Sequence, residues 1–176
     1  MNVKVKKSKI AKAGKGLFAN NTHAFRTGDI ICPYEGELVD YDVAMSPTYK
    51  SDYLFEVKED EWVIDAKDTE TLGKYANDPI DEDMYNANLI ANDNLTALVI
   101  ASKPIPPGKE IYLEYGEFFW HNWDHYEMLS QDHKYELYDR GSAEFRDWVE
   151  DNYMEWIINI VLYYIEWITK SIILLF

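Results

Sequence analysis

The sequence contains one cysteine, Cys32, among its 176 residues. A single thiol cannot form an intramolecular disulfide, and it cannot supply the cysteine pairs of common structural zinc sites. Three histidines cluster loosely in the C-terminal part, and solvated histidines on a helix explain them more simply than a metal site does. The sequence therefore predicts neither a disulfide framework nor a bound metal. These histidines are His121, His125 and His133.

The N-terminus has no apolar run of the kind found in secretory signal peptides. Lys4, Lys6, Lys7 and Lys9 are followed by a mixed, turn-rich stretch. A signal peptide would place a stretch of about 7 to 15 apolar residues after the positive charges. We therefore expect an intracellular protein, in either the nucleus or the cytoplasm.

Basic residues are scarce after the first sixteen positions. Residues 1–16 hold six lysines and no acid, whereas the rest of the chain holds 11 basic and 32 acidic side chains. The overall charge of −15 therefore combines a small basic segment with a body of charge −21. Such a body repels nucleic acid phosphates and attracts basic peptides, so we expect no direct nucleic acid binding. A charged surface kept for solubility would explain the same composition.

Helical periodicity is absent up to residue 115. Short β-type runs alternate with turn sequences such as AGKG, RTGD and ANDN, and no helical pattern separates successive strands. This pattern favours a mainly β fold over a parallel α/β sheet. The predicted strands are 3–10, 16–19, 29–36, 37–43, 52–57, 61–66, 87–91, 96–102 and 110–115.

The last part of the chain, from residue 152 onward, is its most apolar stretch. Its length is compatible with a membrane span. At about 100° per residue, however, five polar side chains fall within about 60° of one another and form a stripe along the helix. Ionisable groups are unfavourable in a span, so we favour a helix that lies along the domain or forms a homodimer over a membrane tail. The stripe consists of Asn152, Glu155, Asn159, Glu166 and Lys170.

Four segments, in order, resemble the motifs of SET-domain protein lysine methyltransferases. They are AGKGLFA (13–19), TGDIICPYEGELV (27–39), VIDAKDTETLGKYANDPIDEDMYNANL (63–89) and PIPPGKEIYLEYGEFFW (104–120). The resemblance implies a SET-domain fold of several short curled sheets over residues 1–120. A C-terminal helical extension, residues 121–176, would follow and would serve dimerisation, closure of the substrate groove or membrane attachment. The resemblance also implies transfer of a methyl group from S-adenosylmethionine to a protein lysine.

The first motif places Gly14 and Gly16 on either side of Lys15. Two glycines in a turn let the backbone approach a ligand closely, although a plain hairpin would use the same residues. In the family this loop holds the methionine part of the cofactor. The resemblance therefore implies that Lys15, Gly16 and Leu17 bind S-adenosylmethionine.

The third motif departs from the family pattern. Asn77 matches the family, but Asp78 stands where histidine is usual, and Tyr85 precedes Asn86 where proline is usual. The resemblance implies that Asn77 and Asp78 meet the cofactor adenine. Aspartate can replace histidine if the contact is made through the backbone, whereas a stacking role for the imidazole would be lost. An Asx turn at Asn77-Asp78-Pro79 is also expected, and it is compatible with either role.

The last motif carries the residues of the implied reaction. Tyr115, in the Tyr-Gly pair, matches the catalytic tyrosine of the family, and Tyr53 in the DYLF segment matches a tyrosine that lines the lysine channel. Phe118, Phe119 and Trp120 would wall the site, with Trp120 stacked on adenine. Leu113, two residues before Tyr115, matches the position that limits the number of methyl groups, and its lack of a hydroxyl predicts di- or trimethylation. Without the resemblance, these aromatic residues would be assigned to the core.

The implied substrate is a basic, histone-like protein tail. A lysine amine must lose its proton before it attacks the methyl group, and its pKa in water is about 10.4. An aromatic channel and a cationic cofactor both lower that pKa, while the acidic surface would hold the rest of the tail. A catalytically inactive SET-like module that binds a basic peptide or a partner protein is the alternative.

Overall fold

The computed structural model describes residues 2–46 and 48–120, together with 133–134, 137–138, 141–152, 154 and 162 of the C-terminal part. It divides into two compact units, Met1–Glu114 and Tyr115–Phe176. The sequence-based boundary, between residues 120 and 121, lies six residues after this division.

The first unit is built from short antiparallel strands, which confirms the predicted mainly β fold. Three small sheets have the strand orders β1-β2, β3-β8-β7 and β4-β6-β5. The strands are β1 Val3–Lys7, β2 Lys15–Ala19, β3 Ile30–Tyr34, β4 Glu37–Asp40, β5 Leu54–Lys58, β6 Trp62–Asp65, β7 Ala87–Asn92 and β8 Thr96–Ala101. A short helix, α1 (Tyr41–Ala44), and a 3-10 turn, Gly73–Tyr75, complete the regular structure described in this unit.

The sheets meet over a small set of fully buried side chains. Alternation along β8 directs Ala97, Val99 and Ala101 inward, as expected for a strand with one buried face. The largest apolar side chains with less than 2% exposure in the first unit come from six separate segments. They are Leu17, Phe18, Val63, Ile80, Val99, Ile105 and Ile111.

The predicted strand 37–43 is shorter than expected. Strand β4 ends at Asp40, whose side-chain oxygen accepts hydrogen bonds from the backbone N–H groups of Asp42 (3.1 Å) and Val43 (3.4 Å). A side chain that binds these two amides competes with strand pairing and starts a helix. The aspartate therefore converts the second half of the predicted strand into α1.

The predicted strand 110–115 does not join a sheet in the structure. Its residues form isolated bridges, Glu110 with Phe18 and Tyr112 with Asn77. Its backbone bonds also run to two segments, because the N–H of Ile111 donates to the Leu17 carbonyl (2.8 Å) and the N–H of Leu113 to the Asn77 carbonyl (3.0 Å). We call residues 110–113 the crossing segment. It brings together motifs that are far apart in the sequence.

The second unit is mainly helical in its described residues. A short helix, α2 (Glu117–Trp120), follows Gly116, which has φ +78°, and residues 143–152 are helical around the fully buried Phe145. Among the described residues, no helix is both long enough and apolar enough to cross a membrane. Of the predicted polar stripe only Asn152 is described, and its side chain donates to the Trp148 carbonyl at 2.8 Å. The predicted dimerisation through the rest of this helix lies outside the described residues.

Candidate functional site

The two glycines of the first motif are required for different reasons. Gly14 has φ +70°, and an added Cβ would meet no atom within 4 Å, so only its backbone conformation favours glycine. Gly16 has no such conformation. A Cβ added there would lie 2.2 Å from Oε1 of Glu110, so glycine is needed for close packing. We call residues 14–17 the glycine turn.

The glycine turn lies directly against the third motif. The side-chain amide of Asn77 donates to the Lys15 carbonyl at 2.8 Å, across 62 residues of sequence. The Lys15 ammonium is also 5.5 Å from the centre of the Tyr75 ring. Leu17 is fully buried, and its carbonyl accepts from Ile111. The structure therefore brings together the residues predicted for the two ends of the cofactor, with Leu17 packed in the core behind them.

The carboxylate of Asp78 serves its own turn. Its Oδ1 accepts from the Ile80 N–H (2.7 Å) and from the Tyr85 hydroxyl (2.9 Å), and the side chain is buried. This is the predicted Asx turn, and it holds Ile80 at φ +60°. The two departures from the family pattern are therefore in contact. Tyr85, which stands where proline is usual, donates its hydroxyl to the carboxylate of Asp78, which stands where histidine is usual.

Asn86 pairs with the crossing segment through both ends of its amide. Its Nδ2 donates to the Glu110 carbonyl and its Oδ1 accepts from the Tyr112 N–H, each at 3.0 Å. A side chain that provides one donor and one acceptor in this way replaces a strand neighbour. Asn86 therefore helps to fix the crossing segment against the region that follows Asn77.

A buried carboxylate beside the glycine turn was not predicted from the sequence. Glu110 is 1% exposed, and it accepts hydrogen bonds from the Ser8 hydroxyl (2.6 Å), the Lys9 N–H (2.9 Å) and the Tyr112 hydroxyl (3.0 Å). Burial raises the pKa of Tyr112, and the hydrogen bond to Glu110 raises it further, so this hydroxyl remains a donor. The one signal in the sequence was an acid two residues before Tyr112, on the same strand face.

Tyr53, predicted for the lysine channel, is half-buried and its backbone is held from both sides. Its carbonyl accepts from the Tyr34 hydroxyl (2.8 Å) and the Ala66 N–H (3.1 Å), and its N–H donates to the Ser51 hydroxyl (3.2 Å). The Lys74 ammonium lies 5.7 Å from the Tyr53 ring centre. The Tyr53 backbone is therefore held in place, and its ring lies next to the ammonium group of Lys74.

Asp65 anchors the Tyr53 region from the end of β6. It accepts from the Ser51 hydroxyl (2.7 Å), the Tyr49 hydroxyl (2.8 Å) and the Lys67 N–H (2.9 Å). The bond to Asp65 is the main cause that raises the pKa of Tyr49 to about 12. The Ser51 hydroxyl, which donates to Asp65, also accepts from the Tyr53 N–H, so Asp65 acts on the predicted channel indirectly.

Leu113, the residue predicted to set the number of methyl groups, is 3% exposed. Its N–H is bonded to Asn77, and its side chain carries no polar atom. The position thus joins the region of the adenine motif through its backbone while it presents only hydrocarbon.

The aromatic residues of the last motif belong to the second unit. The Tyr115 ring stacks at 6.4 Å on Trp120, with an angle of 19° between the planes, and Phe119 lies edge-on to both at 4.7 and 4.9 Å. Trp120 is 7% exposed. Tyr115, Phe119 and Trp120 thus form one aromatic cluster, whereas nothing is described of the Phe118 side chain.

The part of the chain that the structure describes contains no group of three His, Cys, Asp or Glu side chains arranged to hold a metal ion. Of the three histidines considered for such a site, His121 and His125 lie outside the described residues.

Comparison with known proteins identifies a family for this chain. Residues 14–116 match the model of the SET domain family. The histone-lysine N-methyltransferase EZH2 of Chaetomium thermophilum is 27% identical over 124 residues, which cover 64% of this chain and 8% of that protein.

Solved structures agree with this match. The polycomb repressive complex 2 of Chaetomium thermophilum is similar over 65% of this chain, with 26% identity and a TM-score of 0.53. An autoinhibited form of that complex bound to S-adenosylmethionine gives 27% identity and a TM-score of 0.53. This chain covers 15% of the matched chain in each case. Since the family match extends over more than half of the sequence and contains the glycine turn, Asn77 and Tyr115, this chain belongs to the SET-domain family of protein lysine methyltransferases.

Proposed function

We propose that this chain is an S-adenosylmethionine-dependent protein lysine N-methyltransferase that acts inside the cell on a basic, histone-like protein tail. The observation that carries the proposal is the 2.8 Å hydrogen bond from Asn77 to the Lys15 carbonyl. It joins the two motifs that hold opposite ends of the cofactor in the family. A histone-lysine methyltransferase among the relatives and a solved relative bound to S-adenosylmethionine support the same activity.

The residues present fit this cofactor. The glycine turn has open space at Gly14, so its backbone is accessible to a ligand. Lys15 and Gly16 would hold the methionine part of the cofactor, while Asn77, the backbone of Asp78 and Trp120 would hold adenine. The Asp78 carboxylate accepts from Ile80 and Tyr85, which favours a backbone role for this residue. When bound, the cofactor supplies an activated methyl group for in-line transfer to an amine.

The chain must bind the substrate lysine in its neutral form. At pH 7 only about one lysine in 2,500 is neutral when its pKa is about 10.4. Lowering that pKa by three units costs about 4 kcal/mol, which binding of the rest of the tail has to offset. The family resemblance assigns the lysine channel to Tyr53 and the catalytic role to Tyr115, whose hydroxyl would orient the amine toward the methyl group, a proximity effect that needs no proton transfer to tyrosine. The body of charge −21 would hold the basic tail.

The number of methyl groups is set in this proposal by Leu113. Its buried hydrocarbon side chain offers no hydroxyl to hold the amine or a water molecule beside it. A methylated amine can therefore rotate and react again, which gives di- or trimethyl products. Mass spectrometry of a modified peptide tests this, and a product that stops at monomethyl-lysine contradicts it.

The activity is tested by incubating the full chain with labelled S-adenosylmethionine and a panel of basic proteins that includes core histones. Tyr115→Phe is expected to lower the rate by about a hundredfold, because the amine loses its orienting partner. Tyr138→Phe is the matched control, since Tyr138 is in the same unit and its hydroxyl bonds to Glu150 at the surface. Equal rates for wild type and Tyr115→Phe would exclude the catalytic role of Tyr115.

A catalytically inactive module that binds a basic peptide is the second candidate. The observation in its favour is Asp78, which stands in the position of a family histidine and uses its carboxylate within its own turn. Such a module would bind core histones or their tail peptides in a titration and transfer no label. Methyl transfer by the wild-type chain would exclude it.

A further inference from the structure

Glu110 is a buried glutamate inside the first unit whose carboxylate accepts hydrogen bonds from three donors. The Lys9 N–H donates to Oε2 of Glu110, and the Ser8 hydroxyl donates to Oε1 while its oxygen accepts from the Ile10 N–H at 3.0 Å. The Tyr112 hydroxyl is the third donor. Glu110 therefore uses both of its oxygens as acceptors, as a carboxylate does.

This charge lies immediately behind the glycine turn. Oε1 of Glu110 occupies the space that a Gly16 side chain would need, 2.2 Å from the ideal Cβ position. The same carboxylate holds residues 8 and 9, where the chain leaves β1, and the Ser8 N–H closes the hairpin on the Gly14 carbonyl at 2.9 Å. Glu110 therefore restrains the turn at its first and its third residue.

A buried negative charge at this position distinguishes two ligands of almost identical shape. S-adenosylmethionine carries a sulfonium and has a net charge of +1, whereas the product S-adenosylhomocysteine is a neutral thioether. Charges in a protein interior are screened less than in water, so a fixed carboxylate favours the cation. Shape alone gives the turn no means to favour one of these ligands over the other.

We propose that Glu110 is a positioning residue for the glycine turn and that its buried charge favours S-adenosylmethionine over S-adenosylhomocysteine. The inference rests on the proposed function, because it requires that the turn binds this cofactor. It assigns to Glu110 two effects: order in the turn, which serves both ligands, and discrimination by charge, which serves only the methyl donor.

The test is calorimetric titration of the full chain with each ligand, for wild type and Glu110→Gln. Glutamine keeps the shape of the side chain, and its NH₂ group can take the place of Oε1 and donate to Ser8. We expect the affinity for S-adenosylmethionine to fall about tenfold. We expect the affinity for S-adenosylhomocysteine to fall only about threefold, since a neutral ligand loses only the order in the turn.

Asp65→Asn is the matched control, because Asp65 is also buried and also accepts three hydrogen bonds. It is expected to leave the ratio of the two affinities unchanged. If Glu110→Gln does not fold, Tyr112→Phe and Ser8→Ala replace it. Each keeps the charge and removes one donor, so both affinities are expected to fall by the same factor.

The outcomes separate the two proposals. A wild-type chain that binds neither ligand overturns the proposed function. A wild-type chain that binds both, with an unchanged affinity ratio in Glu110→Gln, leaves the function intact and overturns the role of the Glu110 charge. When Tyr112→Phe and Ser8→Ala are the variants, a change in their ratio overturns it.

Discussion

Glu110 and Asp65 are both buried carboxylates that need hydrogen-bond donors, but their donors come from different distances in the sequence. Each carboxylate is buried and accepts three hydrogen bonds, two from hydroxyl groups and one from a backbone amide. The donors of Asp65 lie 2, 14 and 16 residues away in the sequence. Two donors of Glu110 lie 101 and 102 residues away.

Because of this difference, Asp65 stabilises one local region, whereas Glu110 connects distant parts of the first unit. Asp65 fixes a neighbouring stretch that contains Tyr53, and its region can form as soon as β5 and β6 pair. Glu110 joins the first ten residues to the end of the first unit, and it does so beside the glycine turn. The hydrogen bonds that Asp78 accepts from Ile80 and Tyr85 are more local still, since both donors follow within seven residues.

The comparison predicts its largest effect for removal of the two side chains. Glu110→Ala leaves three donors without their acceptor, two of them on the buried residues Ser8 and Tyr112, and should lower the free energy of unfolding by about 4 kcal/mol. Asp65→Ala should cost about 2 kcal/mol, because Tyr49 and Ser51 are only half-buried and can bond to water. Urea unfolding of both variants measures the difference. Equal losses would show that the burial of the donors does not decide the cost of removing their acceptor.

The next effect concerns the glycines that adjoin Glu110. Gly16→Ala should destabilise the first unit by about 3 kcal/mol, because the new Cβ collides with a carboxylate held by three hydrogen bonds. Gly14→Ala has free space and should cost only about 1 kcal/mol, from the left-handed backbone conformation. Thermal unfolding of the two variants gives the order. A larger loss for Gly14→Ala would mean that Glu110 moves aside without cost.

A smaller effect is expected when the most local carboxylate is changed to the family residue. Asp78→His removes the acceptor of Ile80 and Tyr85, so the fold should lose about 1 kcal/mol. The affinity for S-adenosylmethionine should not rise, since the surroundings of residue 78 are built for a carboxylate. Titration of the variant with the cofactor checks this. Clearly tighter binding would show that the imidazole itself is the missing contact.

The smallest effect concerns pH. The pKa of Tyr49, raised to about 12 in the fold from 10.0, means that the folded state keeps this phenol protonated while the unfolded chain ionises it. Its contribution to stability is complete below pH 10 and is lost as the pH rises toward 12. Tyr49→Phe should therefore lose less stability than wild type between these pH values. Denaturant unfolding at several alkaline pH values measures the slope, and identical slopes would contradict the role of the Asp65 bond.

The sequence predicted the elements better than it predicted their connections. Eight of the nine predicted strands form, because each combines an apolar run with turn residues at its ends. The Asx turn at Asp78 was also predictable, since both of its ends lie within three residues. The fate of residues 110–115 was not, because an apolar run predicts an extended backbone but does not identify its partners.

The candidate site shows the same limit. The proximity of Lys15 and Asn77 followed from a family resemblance, which carries long-range information that a single chain does not contain. Glu110 had no such support. Its role depends on Ser8 and Lys9, and nothing in the local sequence of either segment indicates that they meet.

The crossing segment also has a consequence for how the protein is made. Ribosomes synthesise a chain from its N-terminus, so Ser8 is available long before its acceptor, 102 residues later, has been translated. The polar groups of the β1-β2 hairpin must therefore bond to water until residues 110–113 have been synthesised and pack against it. A nascent chain arrested before Glu110 would therefore contain the paired strands but lack the hydrogen bonds that attach the β1-β2 hairpin to the crossing segment, so this unit is completed only in the last steps of its synthesis.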